Sequence, residues 1–139
     1  MKAGLYGLLA LIALESPALA DASFDFRLSP GPRLVGTRAQ SSGSGQVHAS
    51  LEGRTLTLHG TYQGLLGKPA DVHLAMGSMP GVRGPIVAPL TTADGTIDGQ
   101  VVLNSRQLAA FQKGGLYVEI DSAEAPDGDL WGWVMPPSD

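Results

Sequence analysis

The chain contains no cysteine. No disulfide can brace it and no thiolate can act as nucleophile or metal ligand, so hydrophobic packing must carry the fold. Aromatic residues make up only 6% of the sequence and charged residues 16%. The basic residues are scattered rather than clustered and the formal net charge is −4, which argues against nucleic acid as a partner. Long hydrophobic runs are equally scarce. Ala3 to Leu14 stops at Glu15 and Pro17, short of the roughly 20 apolar residues a membrane helix needs.

That run reads instead as the apolar core of a leader. Met1-Lys2 gives a basic start, and Pro17-Ala18-Leu19-Ala20 places small residues where a signal peptidase reads them. Residues 1–20 are expected to be a cleaved signal peptide and 21–139 one domain, periplasmic or extracellular, with no membrane insertion after cleavage. Lys2 and Glu15 cancel, so the charge is the same after cleavage.

Apolar residues alternate along most of that domain: Phe24, Phe26, Leu28; Val47, Ala49, Leu51; Val72, Leu74, Met76; Leu116, Val118, Ile120. Turn residues separate the runs, as in Glu52-Gly53-Arg54, Leu66-Gly67-Lys68-Pro69, Ala93-Asp94-Gly95 and Pro126-Asp127-Gly128. This pattern predicts an all-β fold, an antiparallel β-sandwich or flattened barrel of Ig-like or superoxide-dismutase-like Greek-key type. One short helix is expected from a cap at Ser105 through Lys113, with Leu108 and Phe111 on its apolar side and Gly114-Gly115 as its stop, plugging one end. The Ser/Gly-rich stretch 38–45 predicts a mobile loop, and the Gly- and Pro-rich stretch Gly77 to Pro85 a long shaped one.

In sequence order these segments resemble the CHRD domain, the module named after chordin, over nearly all of residues 21–139. The matching motifs are Phe24 to Ser29 for F-x-x-x-L-S, Gly45 to Ala49 for an A-G-x-A-like strand, and Leu56 to Gly60 for L-x-x-x-G. Ala70-Asp71-Val72-His73 stands for A-H-I-H, and Gly84 to Val87 for G-P-V-V. Leu108 falls in the L-x-x-L helix. Tyr117 to Asp121 matches Y-V-N-I-H, and Pro126 to Gly132 matches P-x-G-E-I-R-G. Asp71 and Asp121 replace two of the family's three histidines. The family's H-I-H is also similar to the H-V-H of copper/zinc superoxide dismutase, where strand histidines bind metal.

If Val72 and Leu74 point inward, Asp71 and His73 share the outer face, as do Glu119 and Asp121 beside Val118 and Ile120. On neighbouring strands Asp71, His73 and Asp121, with Glu119 in support, would suit a divalent metal such as zinc. Copper would want more imidazole. The plainer expectation is a solvated face with no cofactor. His48 and His59 are out of phase with the apolar residues of their strands and have no ligand-spaced companion in the sequence. No G-x-S-x-G elbow occurs, and Asp127 and Asp129 are expected in a turn, so an enzyme is not expected.

Trp131 and Trp133 fall in phase opposite to Leu130, Gly132 and Val134, which leaves both indoles on the outer face. Such a pair can anchor a protein partner, stack on a sugar ring, or be covered by a second copy of the chain. Its cover could equally be the Gly77 to Pro85 loop or the Ser/Gly-rich stretch 38–45. The leading expectation is a secreted, non-catalytic binding or scaffolding module that uses Trp131 and Trp133 with Met76 and Met79. The alternatives are a divalent-metal protein and a structural envelope or matrix domain.

Overall fold

The computed structural model describes residues 21–30, 43–78 and 82–137. The expected signal peptide, most of the 38–45 stretch and Met79 lie outside the described residues. Alternation produces nine strands and one helix among the described residues: β1 (Ala22–Pro30), β2 (Ser44–Glu52), β3 (Thr55–Gln63), β4 (Pro69–Met76), β5 (Ile86–Pro89), β6 (Thr91–Ala93), β7 (Thr96–Val102), α1 (Ser105–Gln112), β8 (Leu116–Ser122) and β9 (Ala125–Val134). Ser44 and Gly45, expected in a loop, already belong to β2.

The strands pair antiparallel in the order β5-β4-β8-β9-β1-β2-β3-β7-β6. The two edge strands are consecutive in the chain, separated only by Leu90, whose N–H donates to the Val72 carbonyl at 2.8 Å. The sheet therefore curls until its edges nearly meet, giving the flattened-barrel form of the expected fold. Closure also leaves little exposed edge for other chains to pair with.

The inward phase fills the interior. Val47, Leu56, Leu74, Ile97, Val118 and Leu130 are all fully buried, each stabilising the fold by about 1.5–3 kcal/mol relative to exposure. Leu108 and Phe111 of α1 join the same cluster, with the Phe111 ring 6.0 Å from that of Phe24. The helix cap differs from expectation. Asn104, not Ser105, is the N-cap: its side chain accepts from the Gln107 N–H at 2.8 Å, while Gln107 Oε1 accepts from the Asn104 N–H at 2.9 Å. An amide cap with a glutamine three residues on closes a reciprocal capping box, leaving Ser105 as the first helical residue.

A second difference lies at the β8–β9 hairpin. Residues 126–128 sit inside β9, and the turn falls at Ala123 and Glu124, because Ser122 already pairs with Ala125. Gly128 has φ 122°, a conformation open to glycine, so it bends the strand without ending it.

Candidate binding face and acid–histidine cluster

Strand register decides which side chains meet on the outer face. β4 lies beside β8, with Asp71 opposite Asp121 and His73 opposite Glu119. β8 lies beside β9, with Glu119 opposite Trp131 and Tyr117 opposite Trp133. Residues directly opposite point to the same side, so His73, Glu119 and Trp131 form one row, and Tyr117 and Trp133 the next.

A solvated outer face was the plainer expectation, and the structure corrects it. His73 is 5% exposed and Glu119 4%. Residues 82–85 fold back over the sheet at Glu119 and Tyr117, and β5 flanks His73 through its pairing with Pro89. The Met76 N–H donates to the Pro85 carbonyl at 3.0 Å. The Tyr117 hydroxyl accepts from the Gly84 N–H at 3.0 Å and donates to the Gly84 carbonyl at 3.1 Å. Arg83 then reaches Glu119, with its terminal nitrogen 2.8 Å from Oε1, and its guanidinium lies 5.1 Å from the Trp131 ring centre. A buried carboxylate needs such a partner, since an uncompensated charge there is strongly unfavourable. Arg83 and Tyr117 were not legible as site residues in the sequence.

Three of the four proposed metal ligands come together. One ligand atom from each of Asp71, His73 and Asp121 lies within 4.8 Å of the others. His73 Nδ1 is 3.3 Å from Asp71 Oδ2 and 4.0 Å from Asp121 Oδ2. Asp71 is exposed, so the cluster opens to solvent on one side, whereas Asp121 Oδ1 is buried with no hydrogen-bond partner among the described residues. Glu119 stands apart from the three: its Oε2 is 3.8 Å from His73 Nε2, but Oε1 is engaged by Arg83. One nitrogen and several carboxylate oxygens make a donor set that fits zinc or manganese better than copper.

Trp131 and Trp133 are half-buried on the outer face. Their ring centres are 5.3 Å apart, and Tyr117 packs 5.6 Å from Trp131 and 4.6 Å from Trp133. Met76 lies elsewhere: in phase with Val72 and Leu74, it packs half-buried against the core, which removes it from the face expected to meet a partner. Asp129, expected in a turn, is fully buried. Its Oδ2 accepts from the Leu66 N–H and the Ser122 hydroxyl, both at 2.7 Å, tying the β3–β4 connection to the β8–β9 hairpin.

The fold and face together define an all-β barrel module with one elaborated outer surface. The CHRD domain model matches residues 24–134, and the chain belongs to that family, a family of non-enzymatic modules. No curated protein and no solved structure matches the chain.

Proposed function

We propose that this CHRD domain is a secreted binding module, acting in the periplasm or outside the cell, that grips a protein partner or a second copy of itself through Trp131 and Trp133. The observation that carries this reading is the packing of the two indoles. Each keeps part of its surface in solvent while ring contacts with Tyr117 and with one another hold it still. Rigid aromatic anchors lose little conformational entropy on binding, and such residues dominate interface energies. Met135, 55% exposed and two residues beyond Trp133, extends the apolar strip. The test is calorimetry of the wild-type domain and Trp131→Ala against the protein captured by the wild type. Binding weakened at least about 30-fold is expected for an anchor; equal affinity would overturn the reading.

A second reading rests on Asp71, His73 and Asp121. Their convergence, together with the buried Asp121 Oδ1, supports a divalent-metal site, with zinc as the first candidate. Protein dialysed after zinc loading should retain about one equivalent and melt higher, and His73→Ala should lose both effects. No retained zinc and identical melts would retire this reading.

A further inference from the structure

A different set of ionisable groups crosses the opposite part of the barrel. β1, β2, β3 and β7 are adjacent, and their registers set Asp25 opposite His48, His48 opposite His59, and His59 opposite Asp98. The result is an Asp-His-His-Asp row across four strands. All four residues are exposed, because each is out of phase with the core residues of its strand. The sequence gives the two histidines no ligand-spaced companion; the β2–β3 register supplies one.

Each imidazole is oriented by its own aspartate. His48 Nδ1 lies 2.7 Å from Asp25 Oδ1, and His59 Nδ1 is hydrogen-bonded to Asp98 Oδ1. An N–H donated from Nδ1 to a carboxylate leaves the lone pair of the neutral ring on Nε2. At His48 that lone pair is occupied by a weak donor, the Ser23 hydroxyl at 2.9 Å. Carboxylate on one ring nitrogen and a free or displaceable lone pair on the other is the arrangement that accompanies metal-binding histidines. Here it occurs twice, on directly opposed residues.

We propose that His48 and His59 together form a chelating site for a divalent cation that favours imidazole, of the copper, nickel or zinc type. Opposed residues on adjacent antiparallel strands have Cβ atoms about 4.5–5.5 Å apart, and imidazole nitrogens bind such ions at about 2.0–2.1 Å. Two Nε2 atoms can therefore reach one ion, with water filling its remaining positions. In the structure each ring is turned toward its own aspartate. Binding requires rotation about side-chain torsions that are open to solvent, with His48 exchanging Ser23 for the ion. Asp25 and Asp98 are positioning residues: before the ion binds they keep each ring in the Nδ1–H tautomer, whose Nε2 lone pair is the one offered to the ion. The imidazole pair distinguishes this site from the carboxylate-rich Asp71, His73 and Asp121 cluster and selects a softer ion.

The chain has only three histidines, so each ring can be followed separately by proton NMR. The probe is copper(II) added in small portions to the full chain, read as paramagnetic broadening of the ring signals. His48 and His59 should broaden together, ahead of His73, with about one equivalent bound. His48→Ala and His59→Ala should each weaken binding at least tenfold, and the double variant should be little worse than either, because half a chelate is no chelate. Asp25→Asn with Asp98→Asn should weaken binding without abolishing it. Broadening of one ring alone, or a His59 response unchanged by His48→Ala, would overturn the proposal. Broadening of His73 alone would overturn it too and would leave the other cluster as the copper site. All of these positions are exposed, so the variants are expected to fold, which circular dichroism checks directly.

Discussion

Arg83 and Glu119 meet across the outer face of the barrel, a terminal nitrogen of the guanidinium 2.8 Å from Glu119 Oε1. Arg83 belongs to the segment before β5, and Glu119 sits in the middle of β8. This contact holds residues 82–85 over the sheet, covers Glu119 beside the Gly84-bonded Tyr117, and brings a cation against Trp131. A single ion pair thus connects the acid–histidine cluster to the aromatic strip.

Arg83→Ala should destabilise the domain by about 2 kcal/mol, since it leaves the Glu119 carboxylate buried without its charged partner. Arg83→Ala combined with Glu119→Gln should cost less than Arg83→Ala alone, because no buried charge then remains. Urea unfolding of the two variants beside the wild type measures both values. Equal destabilisation by both would show that the pair does not hold the loop.

Gly128→Ala tests the same region from below. Its φ of 122° is unfavourable for any side chain, and a Cβ there would run into the Arg83 guanidinium and approach Glu119 Cδ to 3.3 Å. A loss of about 1–3 kcal/mol is expected from the backbone strain. Because Arg83 must also move, the near-ultraviolet circular dichroism of the tryptophans should change. Gly53→Ala, at a positive-φ turn position with open space around it, should cost stability without that spectral change.

Asp94 occupies the left-handed region at φ 50° in the two-residue turn that joins β6 and β7. Asp94→Ala should cost about 1 kcal/mol, because alanine lacks the short polar side chain that makes this conformation accessible. Asp94→Asn should be close to neutral, as Asn-Gly suits a hairpin turn of this type. Thermal melts of the two variants give the comparison.

The fold was largely readable because alternation is a local signal. Val72 with Leu74, and Val118 with Ile120, identify inward phases without any knowledge of which strands are neighbours. The convergence of Asp71 on Asp121 required the additional fact that β4 pairs with β8, which no residue within either strand reports. Burial of Glu119 and Tyr117 was hidden for a different reason: the cover comes from Arg83 and Gly84, in a stretch whose composition indicates a turn-rich path but not its landing place. At residues 126–128 local signals misled, since Pro and Gly marked a turn where Gly128 instead bends a continuing strand. Asp129 had the same cause, because its partners Leu66 and Ser122 come from other parts of the chain. At the helix the error was one residue, with Asn104 and Ser105 both competent caps and Gln107 deciding between them.

The most direct test of the proposed binding face is site-specific photo-crosslinking in the producing cell, with a benzophenone side chain at Met135, beside the indoles, and in a separate variant at Val102. Both positions are exposed, at 55% and 73%, and Val102 lies on β7 in the other part of the barrel. The predicted result is a discrete protein adduct from position 135 that disappears with Trp131→Ala and Trp133→Ala, and none from position 102. Adducts that form equally at both positions, or that survive loss of the two tryptophans, would contradict it.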